Sequence, residues 1–193
     1  MHRICVFCGS RPGRLPSYAQ GAELLGRELV ARGLGLVYGG ASVGLMGTIA
    51  DTVLRAGGDV IGVIPDALIP YEVAHRGLKD LRTVPTMAER KRIMAELSDG
   101  FISLPGGTGT LDEMFEMLTW SQLGEHAKPS GLLDVNGYYS HLTAFLDHAV
   151  EERFLRPEHR AMLIVETSAP ALLDRFESYT APNVEKWIDR SST

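Results

Sequence analysis

The chain of 193 residues holds only two cysteines, Cys5 and Cys8, and no excess of basic residues. Nineteen lysines and arginines stand against 24 aspartates and glutamates, a formal net charge of −5. That balance argues against a broad nucleic-acid surface, which needs clustered positive charge. No apolar run approaches the roughly 20 residues that span a bilayer, so no membrane partner is expected. The first residues, Met1 to Phe7, run straight into a strand pattern with no signal-peptide apolar region. A cytoplasmic protein is the expectation. The Cys-x-x-Cys spacing invites a redox reading. However, both cysteines fall in or beside one strand, where residues three apart point to opposite faces. Buried, reduced thiols are the expectation.

Several motifs are also missing. No lysine lies in any glycine-rich loop, which excludes the P-loop pattern and with it ATP hydrolysis of that kind. Gly9 and Gly13 do not give the G-x-G-x-x-G spacing of a dinucleotide site, and Tyr38 rather than an acidic residue ends the second strand. The six histidines form no H-x-x-x-H or Cys/His ligand pattern, so no metal is expected. No G-x-S-x-G elbow marks a serine hydrolase.

What the chain does have is an alternation of short apolar runs and helical patterns. Strands are predicted at 3–7, 34–38, 60–64, 81–84, 101–104, 131–135 and 162–165. Helices are predicted at 17–32, 44–56, 86–98, 111–123, 138–153 and 169–179, with a loop or ragged helix at 66–77. Thr86, with Glu89 three residues later, makes a capping box for the third helix. The alternation predicts an α/β fold with a doubly wound, mostly parallel sheet. One domain should span 1–180, and a polar tail 181–193. The hydrophobic fraction of 45% is ample for one core.

The richest stretch is Leu104-Pro-Gly-Gly-Thr-Gly-Thr-Leu-Asp-Glu113. A buried strand, a glycine turn and a helix start in succession form an anion site. Backbone N–H groups point outward there, and the helix dipole favours negative charge. Three glycine loops follow strands: Cys8-Gly-Ser10, Gly39 to Gly47, and Pro105 to Thr110. In a doubly wound sheet they should converge on one edge, the carboxyl ends of the strands. A mononucleotide or sugar phosphate is the ligand class that survives.

Two side chains bear on chemistry. Arg90 could reach that edge and grip phosphate with its guanidinium fork, or it could belong to a solvated helix face. Glu113 could stabilise an oxocarbenium-like centre or orient water. Alternatively Thr110-Leu-Asp-Glu113 is itself a capping box, and Glu113 merely closes it. Spacing alone leaves both choices open.

Met87-x-x-Arg90-Lys91 followed by Pro105-Gly-Gly-Thr-Gly-Thr-x-x-Glu113 resembles the LOG ("lonely guy") family of cytokinin riboside 5′-monophosphate phosphoribohydrolases. Cys8-Gly-Ser10, Tyr38-Gly-Gly40, Gly44-Leu-Met-Gly47, Gly100 to Pro105 and Leu118 to Gly124 fall in the family's order. The resemblance covers nearly the whole chain. It implies a Rossmann-like fold, a homodimer or larger assembly, and cleavage of the N-glycosidic bond of an N6-modified AMP, with no cofactor. It implies Arg90 and Glu113 as the catalytic pair. Gly9, Ser10, Gly39, Gly40, Met46, Glu72, Met87, Lys91, Gly106, Gly107, Thr108, Gly109, Thr110 and Thr119 are implied as substrate contacts. Ala88 departs from the histidine that many members carry after the methionine. Many relatives also bear the label lysine decarboxylase. That chemistry needs a Schiff-base lysine, and the chain has only Lys79, Lys91, Lys128 and Lys186, none with an evident pyridinium partner. A general AMP nucleosidase and a non-catalytic nucleotide sensor remain as alternatives. The test is whether Arg90 and Glu113 face one ribose.

Overall fold

The computed structural model describes residues 1–69 and 74–182. The predicted tail beyond 182 and Glu72 lie outside the described residues. Among those described, seven strands form one parallel sheet: β1 (Arg3–Phe7), β2 (Gly35–Tyr38), β3 (Val60–Pro65), β4 (Asp80–Val84), β5 (Gly100–Ser103), β6 (Ser130–Leu133) and β7 (Leu163–Glu166). Their order is β4-β3-β2-β1-β5-β6-β7, with every neighbouring pair parallel. The chain winds outward from β1 in one direction, then returns and winds outward from β5 in the other. The reversal between β1 and β5 leaves a crevice at the carboxyl ends of those strands.

The α-helices that lie wholly among the described residues are α1 (Pro16–Ala31), α2 (Gly44–Arg55), α3 (Met87–Glu96), α4 (Thr108–Leu123), α5 (Ser140–Glu151), α6 (Pro157–Ala161) and α7 (Ala169–Glu177). The short α6 has no counterpart in the sequence prediction. With only five residues it shows no amphipathic period to read.

Strand alternation sorts the core. Ile4, Val6 and Cys8 of the first strand and its exit pack with Leu25 and Leu29 of α1, Ile49 and Val53 of α2, and Leu172 and Phe176 of α7. Cys5 and Phe7 point the other way, against Met94 of α3 and Met117 of α4. The two thiols therefore sit in different cores, on opposite faces of the sheet, as the period-two geometry requires. Both are buried and free, and burial raises the pKa of each well above the usual thiol range. Helix α3 begins as its sequence predicts: the Thr86 hydroxyl accepts a hydrogen bond from Glu89 N at 3.1 Å.

Helix α4 begins earlier than predicted, at Thr108, with Gly107 as N-cap. The capping box read into Thr110–Glu113 is thereby corrected. Thr110 stands inside the first turn, where its backbone is already helical, so it cannot act as an N-cap. No helix among the described residues is long and apolar enough to cross a membrane.

Candidate active site

The crevice between β1 and β5 is built from the loops that leave those strands. Gly9 N donates to Pro105 O at 3.0 Å, and Leu45 N donates to Gly9 O at 3.0 Å. These bonds tie the first, second and third glycine loops together at one edge, as expected. Gly44 is one position where glycine is obligatory. Its φ of +59° is left-handed, and a Cβ there would lie 2.3 Å from the Ser10 carbonyl carbon.

A cleft of about 290 Å³ opens at this edge. Gly9, Ser10, Met46, Met87, Arg90, Gly107, Thr108, Gly109, Thr110 and Glu113 line it, together with Cys8, Leu68 and Asp112. Its floor is the first turn of α4. The N–H groups of Gly107, Thr108, Gly109 and Thr110 have no acceptor one turn earlier, since the ladder starts with Leu111 N donating to Gly107 O. Gly107 and Gly109 show no left-handed φ, and a Cβ on either would meet nothing within 4 Å. Neither backbone strain nor packing asks for glycine there. Without a side chain at either position, the main chain there is open to close approach.

Arg90 is 5% exposed and reaches this cleft from α3. Its Nε donates to Val63 O and its Nη2 to Gly39 O, each at 3.0 Å, while Nη1 lies 3.5 Å from Met87 Sδ. The solvated-face alternative for Arg90 is thus overturned: the side chain turns inward under two strand ends. Nη1 also lies 3.7 Å from Glu113 Oε1, whose side chain is 12% exposed. A guanidinium and a carboxylate from different helices therefore face one another at the mouth of a helix N-terminus. Gly39 makes room for this, since a Cβ would fall 2.1 Å from Arg90 Nη2.

Other expected residues sit at varied distances from this centre. Gly40, at φ +77°, holds the turn behind the cleft and accepts a hydrogen bond from His75 N at 2.9 Å. Gly106 lines an adjoining cavity of about 330 Å³ with Tyr18 and Tyr138. Lys91 and Thr119 are not brought to the cleft. Lys91 Nζ pairs with Asp112 at 3.1 Å and Glu116 at 2.6 Å. Burial works against its charge, yet the two carboxylates outweigh burial and raise its pKa. Thr119 is exposed, six residues beyond Glu113 on α4. Leu68, Cys8 and Asp112 line the cleft without having been singled out as contacts. Leu68 sits in a 3-10 turn (Asp66–Leu68) too short for a periodic signal.

These features define a doubly wound α/β protein with a glycine-rich helix start beside a buried arginine that faces a largely covered carboxylate. A family model described as "Possible lysine decarboxylase" matches residues 46–176. The rice protein "Probable cytokinin riboside 5′-monophosphate phosphoribohydrolase LOGL9" is 51% identical over 177 residues, covering 92% of this chain and 78% of its own. A cytokinin riboside 5′-monophosphate phosphoribohydrolase of Arabidopsis thaliana is 49% identical over 190 residues, covering 98% of this chain and 89% of its own. The molybdenum cofactor carrier protein of Chlamydomonas reinhardtii shares the fold with a TM-score of 0.70 at 21% identity, over 92% of this chain and 99% of that one. The chain belongs to the LOG family. The decarboxylase description does not fit its site: among the described residues no lysine lines the cleft, and Lys91 and Lys128 are engaged by Glu116 and by Ala95 O respectively.

Proposed function

We propose that the protein hydrolyses the N-glycosidic bond of an N6-modified adenosine 5′-monophosphate, giving free cytokinin-type base and ribose 5-phosphate. The observation that carries this reading is the meeting of Arg90 and Glu113 at 3.7 Å beside the N–H groups at the start of α4. The 5′-phosphate would rest on Gly107 to Thr110, where the helix dipole favours it. The ribose would then lie over Arg90 and Glu113, and the base toward Met46, Leu68 and Met87. As the C–N bond lengthens, positive charge grows on the ribose ring. The Glu113 carboxylate opposes that charge and orients a water toward C1′. Arg90 neutralises the phosphate side and is held rigid by two backbone carbonyls, so little reorganisation is needed.

The same reading places one nucleotide-binding catalytic unit over residues 1–180, acting in the cytoplasm as a homodimer on a small-molecule nucleotide, without nucleic acid. Glu72, Lys91 and Thr119 enter as substrate contacts through the family resemblance alone.

The test follows free base by chromatography after incubation with isopentenyladenosine monophosphate and with AMP. Release from the prenylated nucleotide, much faster than from AMP, is the expected outcome. Equal release would make the protein a general nucleosidase, and binding without release a sensor. Glu113→Ala should lower turnover at least about a hundredfold while nucleotide binding persists. Retained turnover in that variant would remove Glu113 from the mechanism.

A further inference from the structure

The loop between β5 and α4 presents three successive carbonyls, and each is held from a different part of the molecule. Tyr139 Oη donates to Leu104 O at 2.6 Å. Gly9 N donates to Pro105 O at 3.0 Å. Tyr138 Oη donates to Gly106 O at 2.6 Å. Peptide planarity turns the last of these bonds into a statement about an N–H group. In a trans peptide the C=O of one residue and the N–H of the next point in opposite directions. Fixing Gly106 O toward Tyr138 therefore fixes the Gly107 N–H away from it. Gly107 is the N-cap of α4, and its N–H heads the row of four that no intrahelical carbonyl satisfies.

Tyr138 is aimed by a built turn. Asn136 and Gly137 both adopt left-handed φ, at 57° and 69°. Asparagine and glycine are the residues that take this conformation most readily, so the pair fixes the turn locally. Asp134 Oδ1 accepts from Tyr139 N at 2.7 Å, and Ser140 Oγ donates to Gly137 O at 2.9 Å. The Tyr138 ring meets Tyr18 edge-on at 5.7 Å and Tyr139 at 5.0 Å. With 42% of the residue exposed, the core gains little from Tyr138. What its hydroxyl does gain is control of one peptide plane.

We infer that Tyr138 is a positioning residue for phosphate binding: its hydroxyl orients the Gly106–Gly107 peptide so that the Gly107 N–H faces the 5′-phosphate of the nucleotide. This rests on the reading of Gly107 to Thr110 as the phosphate site. Tyr139 holds the Leu104 carbonyl from inside the core, where its removal would also cost packing. Tyr138 is the residue at which orientation can be separated from stability.

The experiment is Tyr138→Phe, which keeps the ring on Tyr18 and removes one hydroxyl. AMP and adenosine binding are measured by titration, turnover of isopentenyladenosine monophosphate by steady-state kinetics, and the thermal midpoint by circular dichroism. AMP affinity should fall about three- to tenfold, the worth of one neutral hydrogen bond. KM should rise by a similar factor, with kcat, adenosine affinity and the thermal midpoint close to wild type. Equal losses for AMP and adenosine, or no loss for AMP, would overturn the inference. A second measurement needs no variant. In wild-type protein labelled with nitrogen-15, the Gly107 amide resonance should move on titration with inorganic phosphate, and a stationary resonance would also overturn it. Two failures are separable from this one. Wild-type protein that binds AMP no better than adenosine would remove the phosphate site, and this inference with it. Wild-type protein that binds AMP but releases no base would remove the hydrolase reading and leave the positioning role standing.

Discussion

Replacing Gly39 with alanine puts a methyl group where the Arg90 guanidinium now lies. The new Cβ would fall 2.1 Å from Arg90 Nη2 and 2.9 Å from Met46 Sδ. The backbone can accept alanine, since Gly39 has no left-handed φ. Something must move, and the freest candidate is the end of the arginine side chain, which can swing into the open cleft. Moving it breaks the Nη2 bond to Gly39 O and strains the Nε bond to Val63 O, both now 3.0 Å. A hydrogen bond to a charged group is worth about 1.5–3 kcal/mol. At about 1.4 kcal/mol per decade, one such loss lowers kcat/KM roughly ten- to a hundredfold. Stability should respond far less. The displaced guanidinium regains solvent, and alanine narrows the unfolded ensemble by about 0.4–1 kcal/mol in favour of folding. The assay is base release from isopentenyladenosine monophosphate together with a urea melt, in a cycle with Arg90→Ala. In the Arg90→Ala background, Gly39→Ala should cost no further activity, because the group it displaces is gone. Near wild-type kcat/KM for the single variant, or the same loss in both backgrounds, would refute the idea that Gly39 acts through Arg90.

Three further outcomes are expected. Gly109→Ala should raise helix stability by about 0.5–1 kcal/mol, since its Cβ meets nothing within 4 Å. The same methyl would occupy the space assigned to phosphate, so AMP affinity should fall by about tenfold or more while the melting midpoint rises; unchanged affinity would move the phosphate elsewhere. Gly106→Ala, by contrast, should destabilise the fold, because its Cβ would lie 2.1 Å from Thr110 Oγ1 and 2.9 Å from Gly9 N. For Lys91, Glu116 and Asp112 hold the folded pKa above the ordinary 10.5 in spite of burial. A raised pKa gives stability that is fully present below 10.5 and is lost as pH rises through the folded value. Lys91→Met should therefore be less stable than wild type at neutral pH, and the gap should close at strongly alkaline pH in urea melts. A gap independent of pH would mean that the ion pairs contribute nothing.

Much of the architecture was legible in local pattern. Apolar runs of four to six residues, separated by helical periods, determined a parallel doubly wound sheet, because buried parallel strands need apolar residues on both faces. Thr86 and Glu89 marked the start of α3 through bonds made within one turn. The strand–glycine–helix sequence from Leu104 onward marked an anion site, because free N–H groups at a helix start are a local property. Only the tertiary structure decided what Arg90 and Glu113 do. They are 23 positions apart, and each had an adequate local explanation. Their meeting depends on β5 lying beside β1 and on the missing side chain at Gly39. The same holds for Lys91, the immediate neighbour of Arg90, which the helix period turns toward Asp112 and Glu116 instead. It holds for Tyr138, whose hydroxyl finds Gly106 O across 32 residues. Sequence determines what each segment does with its own neighbours; which distant groups share a few ångströms is set by how the strands are ordered in the sheet, and catalysis lives at that scale.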